Sequence, residues 1–175
     1  MKNQKILKIC ITGLMAAIIA VFTAFIKVPT GINDGYLHFG DSMVYLAGCL
    51  LGPLGALSAA VGGGLADILA GSAVWAIPTA IIKALNSVPF IIMTSLYKKK
   101  KGNYKIISWY TIPMVIVSGL ITIFGYLLAE GLMYSFPSAW TSVPFSIIQA
   151  TGSAILFIIF GLALDAVKIQ KYVKR

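Results

Sequence analysis

The chain has 175 residues, of which 59% are hydrophobic and 11% are charged, with a net charge of +9 and a mean hydropathy of +0.92. Soluble domains carry about 25% charged residues, so this composition excludes an ordinary soluble domain and indicates an integral membrane protein. The positive charge does not indicate nucleic-acid binding, because the basic residues flank apolar runs instead of lining one polar face.

Six apolar segments follow one another along the chain, and we expect each to form a membrane helix. The second and third are short and are separated by the turn signal Gly52-Pro53. The first run continues to Ile26 without a signal-peptide cleavage pattern, so we interpret it as a retained helix. The predicted helices cover about residues 6–26, 42–51, 56–70, 77–97, 106–129 and 143–167, within a single domain of residues 1–175.

The basic residues indicate which helix ends face the cytoplasm. Twelve of the fourteen lie in three clusters: before the first apolar run, after the fourth and after the sixth. Short loops rich in Lys and Arg stay on the cytoplasmic side, so an even number of crossings must separate each pair of clusters. A single helix over 42–70 would leave an odd number of crossings between the first cluster and each of the other two, and would place those two clusters on the outer side. The sequence therefore predicts an all-α bundle of six transmembrane helices with both termini cytoplasmic and an outer loop at 130–142.

Polar side chains at membrane depth are the first candidates for a site, because ionisable groups there cost roughly 2.5–3.5 kcal/mol near a helix centre. Two interpretations stay open: an ion pair between Asp67 and Lys83, or the polar lining of a ligand site. Lys83 and Asn86 lie three residues apart and so share a helix face. The polar residues within predicted helices are Asp67, Lys83, Asn86 and Gln149.

The segment Tyr36–Asp41 leads into the second helix from the outer side. Its His38 and Asp41 either cap that helix or form a wall of a site. Tyr36, Phe39 and Trp75 suit a flat aromatic ring, and one lysine with few acids suits a neutral or weakly anionic ligand.

The sequence predicts neither a metal nor a cofactor. A single histidine excludes a multi-His metal site within one chain, and the motifs of phosphate-binding loops and zinc proteases are missing.

The first helix has alanine at every fourth position: Ala16, Ala20 and Ala24. Small residues at this spacing let another helix approach closely. Packing within the bundle and a docking face for a partner protein both fit the pattern.

Taken in order, these motifs resemble the membrane-embedded substrate-binding subunits (S components) of energy-coupling factor (ECF) transporters, in the branch that includes riboflavin-type and hydroxymethylpyrimidine-type subunits. The resemblance covers helices one to four, whereas helices five and six match only in hydropathy and position. The matching motifs are the alanine stripe, Gly35–Ser42, Gly52-Pro53, Gly62–Gly64, Ala66–Gly71, Trp75 and Thr79–Lys83.

The resemblance implies a subunit in a prokaryotic plasma membrane that binds a B-type vitamin or its precursor from outside. A hydroxymethylpyrimidine-like or pyridoxine-like heterocycle is favoured, and riboflavin is the larger alternative. Transport would be driven by a transmembrane coupling subunit and two cytoplasmic ATPases, so the chain itself is not expected to be an enzyme.

The resemblance also implies roles for particular residues. The alanine stripe Ala16, Ala20 and Ala24 would dock on the coupling subunit, and the ligand would lie under the loop between helices one and two. With the candidates named above, the predicted ligand-binding residues are Tyr36, His38, Phe39, Asp41, Asp67, Trp75, Lys83, Asn86, Glu130 and Gln149.

Two other function classes are weighed against this one. A lipid-modifying membrane enzyme would need a clustered acid–base or nucleophilic set, and Glu130, Asp67 and His38 do not form a recognised one. A stand-alone carrier or channel remains the alternative, although the inverted repeats that usually mark carriers are not visible.

Overall fold

The computed structural model describes residues 2–101 and 105–169. In this part of the chain six α-helices form one bundle, with a short hairpin between the first two, and this confirms the predicted all-α architecture. Five of the helices are long and apolar enough to cross a membrane, and the remaining one is α2. The elements are α1 Lys2–Ala24, β1 Lys27–Pro29, β2 Tyr36–His38, α2 Asp41–Leu51, α3 Pro53–Ala70, a 3₁₀ turn Ala73–Trp75, α4 Ala76–Lys101, α5 Thr111–Met133 and α6 Phe136–Ala166.

The short helix α2 is enclosed by the rest of the protein. Its residues are buried from Asp41 to Leu50, and it contacts α1, α3, α4 and α6. Gly52 adopts a positive φ of 61° after the helix, and Pro53 starts α3 in the first turn, where its missing N–H is not needed. The predicted break between the second and third helices is therefore confirmed.

The last two helices begin elsewhere than predicted. Helix α6 starts at Phe136 instead of 143, because Ser135 accepts a hydrogen bond from the Ser138 amide and Pro137 occupies the first turn. The expected outer loop 130–142 is thus mostly helical. Helix α5 starts at Thr111 instead of 106, and the amides of Ile106 and Ile107 donate to Asp165 at 2.8 and 2.9 Å.

The segment between α1 and α2 folds back as a hairpin that the sequence did not predict. Its three-residue strands pair Lys27 with His38 and Pro29 with Tyr36, which is too short for a visible alternating pattern. Lys27 Nζ donates to the carbonyl of Ala70 at 2.8 Å. This contact holds the hairpin to the C-terminal end of α3.

The alanine stripe of α1 packs inside the bundle. Ala16, Ala20 and Ala24 are each 6% exposed, and the last two cluster with Ala66 of α3. A Cβ on Gly62 of α3 would contact the Ala16 carbonyl oxygen, so small residues on both helices bring the two backbones close together. In the structure these three alanines thus pack against α3, as the bundle-packing interpretation predicts, and docking of the stripe on a partner protein stays a prediction.

Candidate ligand-binding site

A cavity of about 70 Å³ lies between the hairpin, the 3₁₀ turn and the adjoining parts of α3 to α6. Four residues of the predicted site lie outside its lining: Phe39, Asp41, Lys83 and Asn86. The other six line it: Tyr36, His38, Asp67, Trp75, Glu130 and Gln149.

Aromatic rings form one wall of the cavity. The rings of Trp75 and Tyr126 have centroids 5.9 Å apart, and the Tyr134 ring stacks on the Trp75 ring with centroids 6.2 Å apart. Trp75 Nε1 donates to the Asn33 carbonyl at 3.1 Å. The indole is therefore fixed in place and can offer a flat apolar surface to a ring-shaped ligand.

Asp67 contributes a carboxylate to the cavity. The Tyr36 hydroxyl donates to Asp67 Oδ1 at 2.5 Å, and Oδ2 is buried and accepts no hydrogen bond from the described residues. Burial raises the pKa of Tyr36, and the neighbouring Asp67 raises it further, so the hydroxyl keeps its proton and acts as the donor. The ion pair of Asp67 with Lys83, one of the two interpretations that the sequence left open, is not formed, because Lys83 pairs with Asp41.

Four residues that we call the outer network join the tip of the hairpin to α5 and α6: Asn33, Glu130, Ser138 and Ser142. Asn33 Nδ2 donates to Glu130 Oε1 and to Ser138 Oγ at 2.7 Å. Ser142 Oγ donates to the same Glu130 oxygen at 2.7 Å. Asn33 was not among the functional residues that the sequence predicted. Asparagine tolerates the observed positive φ of 48°, so the sequence at this position indicates a turn and not a binding residue.

A second group, the inner network, consists of His38 and Gln149, which line the cavity, and of Asp41 and Lys83, which lie behind its wall. Lys83 Nζ forms a salt bridge with Asp41 Oδ1, and both side chains are fully buried. Gln149 Nε2 donates to Asp41 Oδ2 at 3.0 Å, and His38 Nε2 lies 3.2 Å from Lys83 Nζ. The partner of Lys83 is thus Asp41, because a buried charge requires a counter-ion within reach and α2 lies against α4.

The turn before α2 also differs from the expectation. Gly40 occupies the N-cap position without a side-chain hydrogen bond, so neither His38 nor Asp41 caps the helix. Gly40 donates its own amide to His38 Nδ1 at 3.1 Å. Burial lowers the pKa of His38 to about 3, and Lys83 lowers it as well, so the imidazole is neutral at neutral pH.

Asn86 and Phe39 serve packing in this structure. Asn86 is fully buried and donates Nδ2 to Thr122 at 2.9 Å, which joins α4 to α5. The Phe39 ring fills the space that a side chain at position 152 would need, and glycine there leaves room for it. Both residues therefore position helices around the site instead of lining it.

The lining also includes residues that sequence reasoning missed. Tyr126 on α5, and Ser142 and Ser146 on α6, face the cavity. Tyr126 precedes Glu130 by four residues, and the two serines precede Gln149 by seven and three. Polar residues at this spacing share one face of an otherwise apolar helix, so this periodicity was a usable signal.

The cavity wall is rich in hydrogen-bond acceptors. Asp34, Asp67 and Glu130 line it, and the lining contributes no Lys or Arg side chain from the described residues. Lys83, which suggested a weakly anionic ligand, is paired with Asp41 behind the wall. The wall therefore matches a ligand that donates hydrogen bonds and is neutral or weakly basic.

Comparisons with known proteins agree with this architecture. Residues 3–166 match the family described as ECF-type riboflavin transporter, S component. A protein of Pyrococcus woesei, described as an uncharacterized protein in gap 3'region, is 30% identical over 139 residues, which are 79% of this chain and 88% of the relative. No solved structure matched the chain. The chain belongs to the ECF-type riboflavin transporter S component family, and it is a multi-pass membrane subunit that binds the substrate of a prokaryotic ECF transporter.

Proposed function

We propose that this subunit binds a small aromatic heterocycle with N–H donors, of which hydroxymethylpyrimidine is the best example, with high affinity from the outer side of the membrane. The observation that carries the proposal is the cavity wall, where the rings of Trp75 and Tyr126 stand beside the carboxyl groups of Asp67 and Glu130. An aminopyrimidine stacks on such rings and offers its exocyclic amine to such acceptors.

The size of the cavity favours one ring over three. Pockets that hold drug-sized ligands measure about 300–1,000 Å³, whereas this cavity encloses about 70 Å³. A single pyrimidine or pyridine ring needs less space beyond this cavity than a three-ring system does. A pyridoxine-like ring fits by size but lacks the exocyclic amine, so we rank it second among the small ligands.

Riboflavin is the alternative to these small ligands, and the description of the matching family favours it. Its ring system also carries an imide N–H that the acceptor-rich wall can bind. Its larger volume demands a wider opening between the hairpin and α6.

A ligand screen tests this choice. Purified protein in detergent is heated with hydroxymethylpyrimidine, pyridoxine or riboflavin, and the hits are measured by calorimetry. A ligand at a hundredfold excess over its Kd stabilises the folded state by roughly 2.7 kcal/mol, and we expect hydroxymethylpyrimidine to do so. If riboflavin alone stabilises the protein, riboflavin is the ligand and the pyrimidine assignment is wrong. If none of the three compounds stabilises it, both assignments are refuted.

We further propose that the subunit works in an ATP-driven importer, docked on a transmembrane coupling subunit that two cytoplasmic ATPases drive. The face of α1 beside the alanine stripe supports this. Gly13 and Ala17 are exposed there, next to Leu14 and Val21, which are 62% and 49% exposed. A smooth apolar face of this kind allows close approach of another membrane helix, whereas the stripe itself is occupied by α3.

Two matched substitutions on α1 separate the possible docking faces. Ala17→Trp should keep ligand binding but lose the coupling subunit during co-purification, because it changes only the exposed face. Ala20→Trp should lower stability and ligand binding together, because Ala20 packs against α3. If Ala20→Trp instead loses only the partner, the buried stripe is the docking face. Uptake into liposomes by the subunit alone would support the stand-alone carrier.

A further inference from the structure

Gln149 lies at the boundary between the cavity and the inner network. It lines the cavity, is 5% exposed and donates Nε2 to Asp41 Oδ2 at 3.0 Å. Asp41 is fully buried and lies outside the cavity lining. Gln149, which a ligand in the cavity can contact, is thus held by Asp41, which such a ligand does not contact.

The chemistry of Asp41 determines how the Gln149 amide is turned. An ionised carboxylate only accepts hydrogen bonds, and Lys83 Nζ occupies Oδ1 from the other side. Turning the amide over would set Oε1 against Oδ2, oxygen facing oxygen, and would lose the hydrogen bond. The NH₂ group of Gln149 therefore faces Asp41, and Oε1 faces away from it.

Gln149 lines the cavity, and among the described residues its side chain forms one hydrogen bond, from Nε2 to Asp41. Its Oε1 is therefore an acceptor without a partner in this part of the chain. With the amide fixed, α6 adds an acceptor to those that Asp67 and Glu130 supply from α3 and α5.

We propose that Asp41 is a positioning residue that determines ligand specificity: by fixing the Gln149 amide, it holds Oε1 as an acceptor and selects a ligand edge with an N–H group over one with a carbonyl. A carbonyl edge would face Oε1 without a proton between the two oxygens, and such a mismatch discriminates against the wrong ligand. This inference rests on the proposed function, because an aminopyrimidine presents the required edge.

The test compares two probes, hydroxymethylpyrimidine and its oxo analogue, in which a carbonyl replaces the exocyclic amine and the adjacent ring nitrogen carries a proton, so that the two positions exchange donor and acceptor. Calorimetry in detergent gives the ratio of their affinities, which we expect to favour the amine at least about tenfold in the unaltered protein. The double variant Asp41→Asn/Lys83→Met keeps the buried pair neutral, and the new side-chain amide can donate as well as accept. The ratio should fall about tenfold, whereas an unchanged ratio in folded protein would overturn the proposal.

Two variants of Gln149 decide the matter if the double variant does not fold. In Gln149→Glu, the new carboxyl group and Asp41 must share a proton. The protonated oxygen of the new carboxyl group donates to Asp41 and its other oxygen remains an acceptor at the cavity, so the preference for the amine should persist. Gln149→Met removes the acceptor, so the preference should disappear. A preference that survives Gln149→Met, or that is lost in Gln149→Glu, contradicts the role of Asp41.

Failure of the proposed function has a different signature. If the unaltered protein binds neither pyrimidine but binds riboflavin, the aminopyrimidine assignment is wrong. The same variants are then compared with riboflavin and its N3-methyl derivative, in which the imide N–H is blocked. Loss of that preference in Gln149→Met with retention in Gln149→Glu supports the inference, and any other pattern overturns it.

Discussion

The inner and outer networks connect different elements of the molecule at different depths. The outer network joins the tip of the hairpin to α5 and α6, the inner network joins the start of α2 to α4 and α6, and both contain a carboxylate. The inner network has its charge neutralised by Lys83, with both partners fully buried. The outer network surrounds Glu130 with neutral donors, and its Asn33, Ser138 and Ser142 are only partly buried.

This difference in depth separates stability from ligand exchange. Water can replace the hydrogen bonds of the outer network, because its Asn33, Ser138 and Ser142 are only partly buried, so we expect an opening of the hairpin to cost little. Water cannot reach the Asp41–Lys83 pair of the inner network, whose side chains are fully buried, without separating α2 from α4 and α6. We therefore expect changes to the inner network to alter folding first, and changes to the outer network to alter ligand entry and exit.

The largest expected effect is that of Lys83→Ala. It leaves Asp41 as a buried carboxylate without a counter-ion, and breaking a buried ion pair in this way costs about 3–5 kcal/mol. Denaturant unfolding in detergent measures this loss. Of the two interpretations that the sequence left open for Lys83, this prediction follows the ion pair, with Asp41 as the partner.

The double variant Asp41→Leu/Lys83→Met is the control for this prediction. Apolar replacement of a complete buried pair is often close to neutral, so the double variant should unfold less easily than Lys83→Ala alone. Equal or greater destabilisation would show that the two charges are not coupled.

The second effect concerns Glu130→Gln in the outer network. The shape is preserved, but hydrogen bonds to a charged group are worth about 1.5–3 kcal/mol against about 1 for neutral partners. We expect roughly tenfold weaker binding of hydroxymethylpyrimidine in calorimetry, with little change in unfolding. Asp165→Asn, at the other end of α6, should leave affinity unchanged. Normal affinity in Glu130→Gln would remove the carboxylate from the site.

The third effect is a pH dependence of the inner network. The pKa of His38 is lowered from 6.5 to about 3 in the folded protein, so below pH 6.5 the unfolded chain binds a proton that the folded chain does not. The contribution of His38 to the free energy of unfolding is therefore fully present above pH 6.5. It decreases by at most about 1.4 kcal/mol for each pH unit below that value. Unfolding at pH 7.5 and 5.5 should show this loss, and His38→Gln should reduce it. The same loss of stability between pH 7.5 and 5.5 in His38→Gln and in the unaltered protein would contradict the assignment of this pH dependence to His38.

The smallest effect on stability is expected for Asn33→Gly. Glycine keeps the positive φ of position 33 without strain and removes the side-chain contacts to Glu130 and Ser138. We expect less than about 1 kcal/mol of destabilisation but faster ligand release in stopped-flow measurements. Unchanged release would mean that the outer network does not hold the hairpin closed.

Much of the fold was predictable because hydropathy and turn residues act locally. The six helices and the Gly52-Pro53 break follow from apolar runs and turn chemistry. The start of α6 was missed because the polar residues before 143 look like a loop, although Ser135 and Pro137 signal a helix start. Orientation in the membrane remains a prediction from the basic clusters.

The site was less predictable because its partners are distant in sequence. Lys83 lies 42 residues from Asp41 and 16 from Asp67, and hydropathy does not reveal which carboxylate the bundle brings to it. Likewise, the alanines of α1 could face α3 or a partner, and only the packed glycines of α3 decide. Residues with local signals, such as Trp75 and Tyr36, do line the cavity, and their contact with a ligand stays a prediction.

The shortness of α2 has a consequence for biogenesis. Eleven residues rise only about 16 Å, roughly half of a 30 Å hydrocarbon core, and the first of them is Asp41. Such a segment cannot partition from the translocon into lipid by itself. Its insertion must wait until α4 supplies Lys83 and α6 supplies Gln149, so the N-terminal half of the nascent chain cannot reach its final topology before most of the protein has been synthesised.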